Sequence, residues 1–276
     1  MTEHATPGFN DAPADSIKVL QLSDTHLFAN PAQAFLGINT ERSLQEVLRE
    51  AQAAHWPADL ILLTGDLAQD GTHETYQRLR AHLTALDTPV YRLPGNHDDP
   101  AALDAILQGA NVHTGSVLLC GHWQIILLNS VVPNHVEGYL GQTELAMLDQ
   151  QLARHPERHA LLCLHHPPVP VGSRWIDQLG LNNAADFFAV VDRHPQVRAV
   201  LCGHVHQETG LQRNGVWVLS APSTCFQFRP GSDDFALDDQ PPGYRWLVLH
   251  RDGSITTGIK RLEHRLAGVE LHSAGY

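Results

Sequence analysis

Five short apolar runs in this chain end abruptly in histidine, aspartate or asparagine, and this repeated punctuation constrains the fold more than any other feature. Residues 17–22 (IKVLQL) lead into Ser23-Asp24-Thr25-His26, and 59–64 (DLILLT) lead into Gly65-Asp66. Residues 89–93 (PVYRL) are followed by Pro94-Gly95-Asn96-His97-Asp98. Residues 160–164 (ALLCL) run into His165-His166-Pro167, and 197–202 (VRAVLC) into Gly203-His204-Val205-His206. Apolar runs of this length, bounded by turn residues, read as buried strands.

The intervening segments carry helical spacing. Thr40 precedes Leu44, Val47, Leu48 and Ala51, and Tyr76, Leu79, Leu83 and Leu86 share one helical face. Further helices are predicted around 101–107, 144–153 and 184–194. Strands alternating with helices specify an α/β domain with a substantially parallel sheet. The last third differs: 216–220, 246–250 and 254–261 read as strands with short links, which predicts a second, more antiparallel sheet. Between them, 222–243 is a long aperiodic loop rich in Pro, Asp, Gly and Phe, of the kind that is either functional or disordered. The expected partition is a flexible segment at 1–16, a single catalytic domain at 17–262 and a tail at 263–276.

Composition narrows the partners. Thirty acidic residues against 18 basic ones give a formal net charge of -12, which argues against nucleic acid or an anionic membrane held by bulk charge. No run approaches the roughly 18 apolar residues of a membrane span, and residues 1–16 lack the basic and apolar regions of a signal peptide. A cytoplasmic location is therefore expected. Cys120, Cys163, Cys202 and Cys225 are widely spaced without a CxxC pair and read as small buried hydrophobes in a reducing compartment. A zinc–thiolate cluster or a redox pair is the alternative.

The 19 histidines hint at metal but do not locate it. Position does. In open α/β sheets ligands bind at the carboxyl ends of strands, so the five runs would gather their terminal residues into one site. Each motif alone has a bland reading. Asp24 and His26 could form a strand-end turn, Gly65-Asp66 is a common turn, and Asn96-His97 could cap the following helix. Gly203-His204-Val205-His206 is harder to dismiss, because one spacer can aim two imidazoles at a common point.

In order, Asp-x-His, Gly-Asp, Gly-Asn-His-Asp, His-His-Pro and Gly-His-x-His resemble the signature of the calcineurin-like metallophosphoesterases, across roughly two thirds of the chain. Leu36-Gly37-Ile38-Asn39-Thr40, 165–183 (HHPPVPVGSRWIDQLGLNN) and 221–229 (APSTCFQFR) are similar to the bacterial class III 3',5'-cyclic nucleotide phosphodiesterases. The resemblance implies a four-layer αββα sandwich, two mixed β-sheets flanked by helices. It also implies a dinuclear-metal phosphodiesterase that hydrolyses 3',5'-cyclic AMP to 5'-AMP by attack of a metal-bound hydroxide on phosphorus.

Carried over residue by residue, Asp24, His26, Asp66 and His206 would hold one metal. Asp66, Asn96, His165 and His204 would hold the other, with Asp66 bridging. His165 rather than His166 is the implied ligand, because the family uses the histidine nearest the strand end. His97, outside both ligand sets, is the implied catalytic residue, protonating the leaving alkoxide or stabilising charge on the phosphate. The implied substrate contacts are His26, Asp66, Asn96, His97 and His206. Nitrogen and oxygen donors without thiolate favour two divalent or trivalent ions of Fe, Mn, Zn or Co over Ca.

Two further readings compete, the first within the same superfamily and the second from another class. One is a broader phosphodiesterase or phosphatase acting on glycerophosphodiesters or other small esters. The other is a catalytically dead scaffold, which is expected to have lost ligands, whereas all eight positions are present here. For the nucleotide base, Phe226, Phe228, Arg229, Arg174 and Trp175 are candidate contacts; Phe226 and Phe228 equally suit packing within the second sheet.

Overall fold

The computed structural model describes residues 8–275. In chain order the elements are β1 (Ile17–Leu22), β2 (Ala34–Phe35), β3 (Ile38–Asn39), α1 (Thr40–Ala54), β4 (Leu60–Thr64), α2 (His73–Thr84), β5 (Val90–Leu93) and α3 (Pro100–Ile106). There follow β6 (Val112–His113), β7 (Val117–Cys120), β8 (Trp123–Leu127), α4 (Gln142–Arg154), β9 (His159–Cys163), α5 (Arg174–Asp177), α6 (Ala184–Val191) and β10 (Val197–Cys202). The chain ends through β11 (Thr209–Arg213), β12 (Val216–Ser220), β13 (Gln227–Phe228), β14 (Leu237–Asp238), β15 (Gly243–Leu249) and β16 (Ile255–Arg261).

Two six-stranded sheets result, ordered β16-β15-β1-β4-β5-β6 and β11-β12-β10-β9-β8-β7. In the first, β1, β4, β5 and β6 are parallel and β15 and β16 add antiparallel at the β1 edge. In the second, β8, β9, β10 and β12 are parallel, with β7 and β11 antiparallel at the two edges. The sheets face each other across Val19, Leu62 and Leu247 on one side and Trp123, Leu161 and Leu201 on the other. Helices α1 to α3 cover the outer face of the first sheet through Leu44, Tyr76 and Leu103, and α4 and α6 cover the second through Leu148 and Phe187. This is the expected αββα sandwich of mixed sheets.

The expected separate antiparallel sheet does not form. β12 lies parallel beside β10, while β15 crosses to pair with β1 of the other sheet, Ile17 opposite Leu249. Local periodicity identifies a strand but not a partner more than 200 residues away. The aperiodic loop at 222–243 is ordered by the small β13–β14 ribbon, and Phe226, Phe228 and Leu237 are buried. Residues 1–7 of the expected flexible segment lie outside the described residues. Within its remainder, Phe9 is buried against the rings of His55 and Trp246, so this part of the chain is docked on the domain.

Helix starts follow capping chemistry. Asn39, one residue before the expected Thr40, caps α1 by accepting from the Arg42 N–H, and Thr72 does the same for α2 toward Thr75.

Candidate metal centre

The five apolar runs place their terminal residues at one end of the sandwich, where the backbone bends sharply. Asp24 and His26 after β1, Asp66 after β4, and His204 and His206 after β10 have φ of +56°, +44°, +51°, +69° and +46°. Left-handed backbone is costly for residues with a Cβ, and its clustering at one place marks a site that the surrounding structure over-determines. The motif glycines serve the same geometry. A Cβ on Gly95 would collide with the Asp66 carboxylate, and one on Gly203 with Ser23 Oγ and the Thr64 carbonyl.

Asp66 sits at the middle. Its Oδ2 is 3.8 Å from His26 Nε2 and 3.3 Å from His165 Nε2, while its Oδ1 accepts the His97 backbone N–H at 2.9 Å. Asp24 Oδ1 is 3.5 Å from His206 Nε2 and accepts the His204 backbone N–H at 3.0 Å. His165 Nε2 lies 3.2 Å from Asn96 Oδ1, and the His26 and His97 rings are 5.1 Å apart edge to face. Asp24, His26, Asp66, His165, His204 and His206 are buried; Asn96 and His97 are half-buried. All eight predicted positions thus converge.

The outer nitrogens of three imidazoles are tied to the protein. His26 Nδ1 meets Gln69 Oε1 at 2.7 Å, and His165 Nδ1 and His206 Nδ1 donate to the carbonyls of Thr64 at 2.8 Å and Phe226 at 2.9 Å. Such ties fix the tautomer and aim Nε2 inward, as in metal-binding histidines. The consequence is unfavourable without a cation. His26 Nε2 and His206 Nε2 stand 3.1 Å apart, and with both rings neutral two lone pairs face each other. Burial, despite the Asp66 carboxylate, pushes His26 down to about 3, so it does not supply a proton to bridge them. His204 Nε2 is buried with no hydrogen-bond partner. The residues present fit a cation-binding centre.

The charges agree. Burial alone would raise Asp66, yet His165 and His97 hold it well below the usual carboxylate range. His165 is pushed up to about 9, because the Asp66 charge and hydrogen bond outweigh burial. The carboxylates therefore draw positive charge onto the buried His165. Four groups of three side chains bring ligand atoms within 4.8 Å of one another: Asp24/His26/His206, His26/Asp66/His97, Asp24/Asp66/His165 and His165/His166/His204. In the last, His166 has both ring nitrogens engaged, Nδ1 with Ser130 Oγ at 2.8 Å and Nε2 with the Val136 carbonyl at 2.9 Å. Cys225 is no ligand candidate; burial pushes its thiol up to about 12, and its Sγ meets the Asp24 carbonyl.

Two supporting residues escaped sequence reasoning. Asp98, inside the Gly-Asn-His-Asp motif, accepts from the backbone N–H groups of Leu67, Ala68 and Gly95 and from Tyr76 Oη. It thereby locks the Asp66 turn to the Asn96-His97 turn, and burial and Asp66 push it up to about 6. Gln69, three residues after Asp66, lies in no motif and gave no signal. Of the base-contact candidates, Phe226 and Phe228 pack behind the histidines; Phe228 stacks on His206 at 4.3 Å and Phe226 on His26 at 5.6 Å. Trp175 packs on Phe228 and Phe235, and Arg174 and Arg229 are exposed.

Residues 17–208 match the calcineurin-like phosphoesterase family. The chain is 42% identical over 263 residues to a 3',5'-cyclic adenosine monophosphate phosphodiesterase of Vibrio vulnificus, covering 95% of this chain and 96% of the relative. It is 44% identical over 250 residues to a 3',5'-cyclic-nucleotide phosphodiesterase of Nostoc, covering 91% and 94%. In three dimensions it is similar to a dimetal phosphatase from Danio rerio with a TM-score of 0.62 at 14% identity, covering 87% of this chain and 98% of that one. No helix among the described residues is long and apolar enough to cross a membrane.

Proposed function

The chain belongs to the calcineurin-like phosphoesterase family, and on that premise we propose that it is a dinuclear-metal phosphodiesterase hydrolysing 3',5'-cyclic AMP to 5'-AMP. The observation that carries the chemistry is the Asp66 carboxylate between His26 and His165, at 3.8 and 3.3 Å, with His26 and His206 facing each other through tethered imidazoles. The substrate rests on the near-full-length similarity to cyclic nucleotide phosphodiesterases.

Asp24, His26, Asp66 and His206 would hold one ion, and Asp66, Asn96, His165 and His204 the other, drawn from Fe, Mn, Zn or Co. When bound, such ions lower the pKa of water and polarise phosphoryl oxygens. The chain's own residues do the rest. Gln69 and the carbonyls of Thr64 and Phe226 keep the His26, His165 and His206 rings aimed inward. The Asp66 bond to the His97 N–H anchors the His97 backbone at the rim, where its half-buried side chain protonates the departing ribose oxygen. His26, Asp66, Asn96, His97 and His206 surround the phosphate. Residues 17–262 form the catalytic unit, and the free cysteines suit the reducing cytoplasm, where this substrate is met.

The test compares turnover of cyclic AMP, cyclic GMP and an aryl phosphodiester by protein loaded with one metal at a time. Preferential conversion of cyclic AMP supports the proposal. Turnover of the aryl diester equal to or better than that of cyclic AMP makes the protein a broader phosphodiesterase instead.

A further inference from the structure

The Leu36-Gly37 motif takes no part in the metal centre, yet the fold holds it with unusual firmness. β2 and β3 form a two-residue hairpin whose turn residues, Leu36 and Gly37, have φ of +49° and +81°. Both positive values are the geometry of a tight hairpin turn, which asparagine or glycine adopts more cheaply than leucine. Leu36 is nevertheless buried, packed with Ile38, Phe226 and Leu237. The tail at 263–275 lies directly over the turn. The Glu270 N–H donates to the Leu36 carbonyl at 3.1 Å, and a Cβ on Gly37 would collide with the Gly268 carbonyl.

This over-determined hairpin presents Phe35. Its ring is 5.6 Å from His26, 5.2 Å from Phe226 and 5.6 Å from Phe28. Phe35 and Phe28 are half-buried, whereas Phe226 and Phe228 are fully enclosed. Phe28 is fixed in turn, because Arg78 donates to the carbonyls of Phe28 and Ala29, and Asp70 accepts the Ala29 N–H at 2.6 Å. His26 therefore has two half-buried rings against it, His97 at 5.1 Å and Phe35 at 5.6 Å, and Phe28 stands behind Phe35 in contact with it.

Building on the cyclic nucleotide reading, we propose that Phe35, supported by Phe28, is the stacking wall for the purine base of the substrate. A nucleotide with its phosphate at the metal centre beside His26 carries its base one ribose away, and Phe35 is the half-buried ring 5.6 Å from His26. Aromatic faces bind bases because every base offers a π-face. The strained turn and the tail then serve to hold Phe35 in place before substrate arrives, which lowers the ordering cost of binding.

The experiment measures equilibrium binding of 5'-AMP and of ribose 5-phosphate, which lacks only the base, to metal-loaded full-length protein by calorimetry. Wild-type protein is expected to prefer 5'-AMP by about tenfold, within the range for one base–aromatic stack. Phe35→Leu, which keeps apolar volume against Phe226 but removes the ring face, is expected to bind the two ligands within about twofold, while Phe35→Tyr keeps the preference. Metal content and circular dichroism are checked for each variant. A preference retained in Phe35→Leu, or absent from wild type, overturns the proposal. Turnover of cyclic AMP by wild-type protein is scored separately. Its absence refutes the cyclic nucleotide reading, whereas turnover combined with an unchanged preference in Phe35→Leu refutes only the stacking wall.

Discussion

Tyr76→Phe deletes one oxygen atom that is no candidate ligand and is predicted to cost about 3 kcal/mol of stability. Tyr76 is fully buried; its Oη donates to Asp98 Oδ1 at 2.9 Å and accepts the Asp99 N–H at 3.0 Å. A hydrogen bond to a charged group contributes about 1.5–3 kcal/mol, and a partly buried donor left unpaired costs about 1 kcal/mol more. Asp98 keeps its bonds from Leu67, Ala68 and Gly95, so the loss is partial. At about 2–4 °C per kcal/mol for a domain of this size, the melting temperature should fall by about 6–12 °C.

The effect has a pH signature. Burial and Asp66 already push Asp98 up to about 6, above its ordinary 3.8, so its contribution is fully present below 3.8 and lost as pH rises through 6. The Tyr76 hydroxyl favours the ionised carboxylate; removing it raises Asp98 further, and the penalty of the variant grows as pH rises. The assay is denaturant unfolding of metal-free protein across that window, with scanning calorimetry alongside. A loss below about 1 kcal/mol at neutral pH, or a penalty that shrinks as pH rises, would refute the role given to this bond.

His97→Ala is expected to retain both metals while turnover falls about 10²–10⁴-fold; loss of metal or near-normal rates in steady-state assays contradicts its placement as proton donor. His206→Ala relieves the 3.1 Å contact with His26 Nε2 and removes one ligand, so elemental analysis should find the metal content falling from two ions per chain toward one. Glu41→Gln tests a different contact: His82 and Arg78 overcome burial and hold Glu41 below its ordinary 4.5. A depressed carboxylate stabilises above its unfolded pKa and loses that contribution as pH falls through the folded value. Wild type should therefore exceed the variant in denaturant midpoint at neutral pH, with the gap closing in acid; a gap independent of pH counts against the pair.

The site was legible because its grammar is local. An apolar run followed by Gly-Asp or Gly-His-x-His announces both a strand and its end, and strand ends gather at one edge of the sandwich. The choice within His165-His166 was not visible in spacing. The contrast between them rests on Ser130 and the Val136 carbonyl, which engage both nitrogens of His166, lie more than 25 residues earlier and support the proposal of His165 as the ligand. The sheet joined by β15 was hidden for a similar reason, since Ile17 pairs with Leu249 across almost the whole chain. Phe226 and Phe228 carried an ambiguity inherent in aromatic residues, and burial behind His26 and His206 resolves it toward packing. Leu266 and Val269 dock the tail against the cluster around Leu36, a contact that no local periodicity announces.

The most direct test of the central claim is one preparation, purified without chelator, analysed for metal and assayed for cyclic AMP conversion with the product identified. Two transition-metal ions per chain and 5'-AMP as product are expected, with activity lost on chelation and restored by metal. Metal-replete protein that leaves cyclic AMP intact would contradict the substrate. Full activity in protein stripped of metal would contradict the site itself.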